Sequence, residues 1–252
     1  MKSVIYETKG RAREYCELAL NHYAGCAHGC LYCSSPLVLH RDRALFQSKV
    51  GARVTAEDIR ASTERWKGDS RTVLMSFVSD PYQPIEAELH LTQDAILILH
   101  NYGLHFTILT KAGAPARRDF DLYQPGDSFG TTLTFLSQAK SNRWEPGAAY
   151  PEDRLQNLMD AHDDGIPTWV SLEPVIEPME TMACIHAAAP YTDHFKVGTW
   201  NYDPAAAKID WAGFAREAMK VLRQYHKGFY IKKDLGKFIG YPEGYKEGRQ
   251  LP

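Results

Sequence analysis

The chain has 252 residues, 44% hydrophobic and 24% charged, with a net charge of −2. That length buries a core without covalent staples, and the composition is that of an ordinary globule, which excludes disordered and fibrous classes. Five cysteines, an odd number, argue against a disulfide framework. No apolar run approaches a membrane span, and Met1 to Arg11 lacks the apolar centre of a signal peptide. With clustered thiols, this leads to the expectation of a cytoplasmic protein that does not engage membranes. The net charge hides an asymmetry. Residues 1–56 hold 8 basic and 4 acidic side chains, residues 216–252 hold 9 and 4, and the middle is strongly acidic. Basic ends suit a polyanion, and they equally suit solvated faces.

In chain order, Glu17 to Tyr23 reads as a first strand that runs into a cysteine-rich loop. Thr55 opens a helix to about Trp66, with Asp58 completing a capping box. Thr72 to Val78 is an apolar strand ending in Ser79-Asp80-Pro81. A helix from Thr92 to Tyr102 is closed by Gly103. A strand from His105 to Thr110 ends at Lys111, a short helix spans Arg117 to Tyr123, and a fourth strand spans Ser128 to Phe135. Pro151, Glu152 and Asp153 start a helix that stops near Gly165. Thr168 to Leu172 is a strand ending in Glu173-Pro174, then a helix around Glu180 to Ala188 leads to a sixth strand, His194 to Thr199. Asp203-Pro204 marks the start of a last long helix, best defined from Asp210 to Tyr225. Six strands alternating with helices imply a parallel sheet with right-handed crossovers. The expected fold is α/β, a partial (β/α)6 barrel of parallel strands, with an open doubly wound sheet as the rival. We expect one domain over 1–252, with its core at about 17–201 and a basic, aromatic extension at 204–252.

In parallel α/β folds the site lies at the C-terminal ends of the strands. The cysteine loop, Ser79, Asp80, Lys111, Thr132, Thr134 and Glu173 all fall at or near such ends. The loop reads NHYAGCAHGCLYCS and places Cys26, Cys30 and Cys33 at C-x3-C-x2-C spacing. Gly25 and Gly29 let the backbone turn tightly about a bound object. Three thiolates are one short of a closed zinc site or a fully ligated cluster. A [4Fe–4S] cluster held this way keeps one iron open to a small molecule. A zinc site completed by His22, His28 or His40 is the alternative.

The spacing, with Tyr32 just before the last cysteine, resembles the signature of the radical S-adenosylmethionine (SAM) enzymes. That resemblance implies a [4Fe–4S] cluster on Cys26, Cys30 and Cys33 whose open iron chelates SAM. It further implies reductive cleavage of SAM to a 5′-deoxyadenosyl radical, and an external electron donor of flavodoxin or ferredoxin type. The segments SDPYQPIE (79–86), LTQDAIL (91–97), TILTKAG (107–113), WEPG (144–147) and SLEPVI (171–176) look like the spore photoproduct lyase branch of that family. The likeness assigns SAM contacts to Ser79 with its neighbour Asp80, to Lys111 and to Thr132, and sets Tyr32 against the adenosyl portion or the radical path. Three features depart from the lyases. Phe77 stands where they place a hydrogen-donating cysteine, Ser34 stands where they place a tyrosine, and their sizeable segment upstream of the cysteines has no counterpart. The departures argue against thymine-dimer repair. Cys16 and Cys184 read as small buried hydrophobes.

For substrate, the branch implies a modified, thymine-derived base in DNA or a nucleotide. The segment from Arg216 to Arg249 interleaves basic and aromatic residues, which suits phosphates and bases. It equally suits a C-terminal strand and tail closing the barrel. Three classes follow: a radical enzyme of lyase or isomerase type, an iron–sulfur electron carrier, and a zinc-stabilised module.

Overall fold

The computed structural model describes residues 4–251. The strands are β1 (Ile5–Glu7), β2 (Leu18–Leu20), β3 (Tyr23–Ala24), β4 (Gly51–Ala52), β5 (Val73–Met75), β6 (Phe106–Thr110), β7 (Ser128–Thr132), β8 (Thr168–Leu172), β9 (His194–Val197), β10 (Gly228–Ile231) and β11 (Tyr245–Glu247). The helices are α1 (Ser35–Val38), α2 (Arg43–Ser48), α3 (Ala56–Thr63), α4 (Glu86–Leu89), α5 (Leu91–Asn101), α6 (Gln138–Trp144), α7 (Pro151–Asp163), α8 (Pro178–Ala188), α9 (Trp211–Gln224) and α10 (Lys233–Gly236).

One sheet runs in the order β1-β2-β5-β6-β7-β8-β9-β10-β11. From β2 to β10 every pairing is parallel, and the two outermost strands, β1 and β11, pair antiparallel. The six expected parallel strands are therefore present in sequential order, and the sheet is α/β of the partial-barrel kind. A seventh parallel strand, β10, extends it. The basic, aromatic C-terminal segment forms this strand and the β11 edge, which is the closing role allowed for it.

Several elements differ from expectation in extent. The first strand divides into β2 and β3, because Asn21 turns away from the ladder to donate to the Tyr6 hydroxyl at 2.6 Å. The short helix at 117–123 is a 3-10 stretch, Ala114–Leu122, and Pro204–Lys208 is another, so the last long helix starts only at Trp211. At α3 the capping box is formed: Thr55 Oγ1 accepts from the Asp58 amide at 3.1 Å, and Asp58 Oδ2 accepts from the Thr55 amide at 3.0 Å. Among the described residues no helix is long and apolar enough to cross a membrane.

Two apolar layers hold the barrel. The outer one lies between strands and helices, where Val73, Met75, Ile108 and Val170 meet Ile96, Leu99, Leu158 and Ile185. The inner one is small: Tyr15, Cys16, Ala19, Leu74 and Trp169 fill the barrel interior. Trp169 sets its neighbours. A Cβ on Gly130 would lie 2.2 Å from Trp169 Cε2, so β7 carries glycine opposite the indole. The indole N–H donates to Thr107 Oγ1 at 2.8 Å, which satisfies a buried polar group.

Candidate functional site

The three cysteines sit on the loop after β3, and each line of contact to that loop comes from a distant segment. Gly25 has φ +75°, and a Cβ there would lie 2.6 Å from the carbonyls of Phe46 and Lys49. The Cys26 amide donates to the Phe46 carbonyl at 3.1 Å. Arg43 on α2 donates to the carbonyls of Cys30 (3.2 Å) and Cys33 (2.8 Å). Gln83, in the SDPYQPIE segment, accepts from the Ala27 amide at 2.9 Å and donates to the Gly25 carbonyl at 3.3 Å. The WEPG segment clamps the other side. Leu31 N–H donates to the Trp144 carbonyl at 2.8 Å, and Gly147 N–H donates to the His28 carbonyl at 2.9 Å. A Cβ on Gly147 would lie 2.5 Å from the Ala27 carbonyl oxygen. Only glycine allows this approach.

Cys26, Cys30 and Cys33 share the wall of one cavity with Ser79, Asp80, Lys111, Thr132 and Tyr32. Of the strand-end residues singled out in the sequence, Glu173 lies instead in the neighbouring chamber, and Thr134 lines neither. Burial pushes the Cys26 thiol up to about 12 and the Cys30 thiol up to about 11. Burial does the same to Cys184, up to about 12, so the shift records confinement of the thiols. Among the described residues no three His, Cys, Asp or Glu side chains converge closely enough to hold a single metal ion. The histidines considered for zinc have other roles. His28 Nδ1 faces Asp80 Oδ2 at 3.3 Å, His22 is buried and bonded to Thr92 Oγ1 at 2.9 Å, and His40 is exposed. Three thiols spread around a cavity fit a multi-iron cluster better than one ion.

The other expected residues divide by task. Asp80 acts as a strut: its carboxylate accepts from Thr110 Oγ1 (2.7 Å) and from the amides of Lys111 (2.7 Å) and Tyr82 (2.9 Å). It joins the ends of β5 and β6, leaving Ser79 and Lys111 to face the cavity. Ser79 Oγ meets Ser76 Oγ at 3.2 Å. Confinement disfavours the Lys111 ammonium, but Cys30 and Glu145 outweigh it and raise its pKa. Its Nζ lies 5.6 Å from the centre of the Tyr32 ring. The Tyr32 hydroxyl donates to Glu145, and it stands 3.2 Å from Thr134 Oγ1.

Sequence reasoning missed the ion pair behind Tyr32. Glu145 and Arg154 have fully buried side chains and meet at 2.8 Å. Arg154 also donates to the carbonyls of Thr132 (3.0 Å) and Ala149 (2.9 Å). The WEPG segment marked Glu145, but Arg154 lies in an ordinary helical stretch and carries no local signal.

The cavity opens into a larger chamber. The two share Tyr32, Cys33, Phe77, Lys111 and Thr132 in their walls. The chamber adds Lys9, Arg11, Tyr15, Ser171, Glu173, Asn201 and Lys232. Of these, Glu173 was singled out at a strand end and Lys232 belongs to the basic, aromatic segment; Lys9, Arg11, Tyr15, Ser171 and Asn201 were not foreseen as site residues. The rest of the basic, aromatic tail is largely committed elsewhere: Arg223 pairs with Glu247, Lys233 with Glu243 and Lys237 with Asp234.

Residues 20–189 match the Radical SAM superfamily. By sequence, an uncharacterized protein of Methanocaldococcus jannaschii is 25% identical over 197 residues, covering 77% of this chain and 73% of that protein. An uncharacterized protein of Acidianus two-tailed virus is 28% identical over 175 residues, covering 64% of this chain and 56% of that protein. Among solved structures, spore photoproduct lyase complexed with dinucleoside spore photoproduct superposes with a TM-score of 0.67 at 15% identity. The match covers 89% of this chain and 76% of the lyase. SuiB of Streptococcus suis bound to S-adenosylmethionine superposes at 0.61 with 11% identity, over 84% of this chain and 48% of SuiB. This chain therefore spans about half the length of SuiB. At such identities the structural likeness describes a common fold.

Proposed function

Because the chain belongs to the radical SAM superfamily, whose members use a [4Fe–4S] cluster and SAM, we propose that it abstracts hydrogen from a modified, thymine-derived nucleobase in DNA or in a nucleotide. In this reading Cys26, Cys30 and Cys33 hold the cluster. Ser79, Lys111 and Thr132 hold SAM, with Asp80 fixing the strand ends that carry the first two. The bound cofactors supply reductive cleavage and a hydrogen-abstracting radical. The chain supplies position and exclusion of water. Lys111 offers a fixed positive charge to an anionic group. The Glu145–Arg154 pair anchors the hydroxyl of Tyr32, which lines both chambers.

The observation that carries the substrate class is the junction itself. The cysteine-lined cavity opens directly into a chamber bordered by Lys9, Arg11, Lys111 and Lys232, where Arg11 is paired with Asp234 and Lys232 with Glu173, the one carboxylate among the described residues that lines it. A chamber that adds Lys9 and Lys111 to two paired cations suits a phosphorylated ligand. A base from a duplex would enter it flipped out of the stack. We read the outcome as isomerisation or modification rather than dimer repair. Phe77 packs edge-on against Tyr15 at 5.7 Å, and among the described residues the thiols lining either chamber are Cys26, Cys30 and Cys33. We further read the protein as one cytoplasmic unit served by a small flavodoxin- or ferredoxin-like electron donor.

The test is anaerobic reconstitution followed by assay with modified thymine nucleotides and DNA. About four irons per chain are expected, with loss of the visible iron–sulfur absorbance in Cys30→Ala. Deuterium from the substrate is expected in 5′-deoxyadenosine. SAM cleavage indifferent to every nucleic-acid substrate would overturn the proposal.

A further inference from the structure

The larger chamber holds a polar triad that hydrogen abstraction alone does not require. The Glu173 carboxylate accepts from the Tyr15 hydroxyl (2.6 Å) and from Lys232 Nζ at one oxygen, and from Asn201 Nδ2 (3.0 Å) at the other. The lysine and the amide therefore flank the same carboxylate from opposite ends. Lys232 is 2% exposed, at the end of the seventh strand. A lysine–glutamate pair this buried adds little stability over apolar packing of the same volume. Its surroundings are nevertheless shaped for it. A Cβ on Gly198 would lie 2.7 Å from Glu173 Cδ, so β9 ends in a residue without a side chain where the carboxylate stands.

The triad keeps hydrogen-bonding capacity in reserve. An ammonium has three donors, a carboxylate about four acceptor sites and a primary amide two donors. Among the described residues, Lys232 gives one hydrogen bond, to Glu173, and sets its Nζ 4.1 Å from the Tyr15 ring centre. Glu173 uses three acceptor sites. Asn201 uses one amide N–H, and its Oδ1 is taken by Thr199 at 3.2 Å. What remains, in spatial order, is donor, acceptor, donor.

We infer that Lys232, Glu173 and Asn201 form a subsite that reads the imide edge of a pyrimidine-2,4-dione. That edge presents carbonyl, N–H, carbonyl: the complement of ammonium, carboxylate, amide. Cytosine offers an amino group toward the lysine and a bare ring nitrogen toward the carboxylate, so it leaves both unpaired. The inference rests on the thymine-derived nucleobase reading above and deepens it by assigning recognition of the ring to these three residues; rings saturated or substituted at C5 and C6 keep the same edge.

The experiment is equilibrium dialysis of the reconstituted protein with thymidine 5′-monophosphate, its N3-methyl derivative and deoxycytidine 5′-monophosphate. Thymidine monophosphate is expected to bind about tenfold more tightly than the N3-methyl derivative, which loses one buried hydrogen bond, and by a larger factor than deoxycytidine monophosphate, which loses two. Glu173→Gln, checked for folding by its melting curve, is expected to erase the difference. Equal binding of the three nucleotides, or no binding of any, overturns the inference without reference to the variant. The subsite and the reaction fail separately. Imide-selective binding with no substrate-dependent SAM cleavage would sink the reaction and keep the subsite. Turnover of the N3-methylated substrate at the parent rate would do the reverse.

Discussion

Glu145→Gln tests whether the buried ion pair organises the site. The replacement keeps the shape of the side chain and removes its charge. Arg154, whose side chain is fully buried, then loses the carboxylate it meets at 2.8 Å and retains only the carbonyls of Thr132 and Ala149 and the Ser141 hydroxyl. An uncompensated buried charge of this kind costs about 3–5 kcal/mol. For a domain of this size, about 2–4 °C of melting temperature per kcal/mol gives a fall of about 6–20 °C. Tyr32 loses its carboxylate acceptor at the same time, so the loop carrying Cys30 and Cys33 loosens. The assay is differential scanning calorimetry of the iron-free protein, followed by iron counting after reconstitution. The double variant Glu145→Leu with Arg154→Met removes both charges and is expected to recover most of the melting temperature but not the iron content. A single variant that melts within about 2 °C of the parent would refute the reasoning, because the arginine charge would then be satisfied by solvent or backbone alone.

Acid sensitivity is expected from His22 and His194. Burial pushes the pKa of both imidazoles down to about 3. In the unfolded chain they titrate near 6.5, so the unfolded state binds more protons and stability falls as pH drops below that value. Between pH 6.5 and 5.5 the two together account for about 2 kcal/mol, readable by urea denaturation, and replacing both with glutamine should flatten the profile. Gly130→Ala forces a Cβ into the Trp169 indole and is expected to cost at least about 1–3 kcal/mol, measured by the same titration. Adding Trp169→Phe should return part of that loss. Gly147→Ala pushes against the Ala27 carbonyl at 2.5 Å, and it should lower iron content after reconstitution more than it lowers the melting temperature. Unchanged iron loading would mean the WEPG segment does not shape the cysteine loop.

The amino-acid sequence by itself determined the order of the parallel strands and the grouping of Cys26, Cys30 and Cys33, because both are written locally. Apolar runs of strand length separated by capped helices leave few topologies open, and three thiols within eight residues share a loop wherever that loop sits. Ser79, Asp80, Lys111 and Thr132 were legible for the same reason, since a parallel sheet gathers its strand ends on one side. Only the tertiary structure decided what those ends do. Asp80 is a strut because three donors happen to surround it, and Tyr32 is held by a glutamate more than a hundred residues away. Arg154 and Tyr15 gave no local sign, since a buried polar group takes its meaning from a partner across the barrel. Lys232 shows this most clearly: within its own segment it is one basic residue among several, and packing alone sets it apart by burying it against Glu173. Desolvation is the reason, because it acts on a group's final surroundings, and those are assembled from strands far apart in the chain.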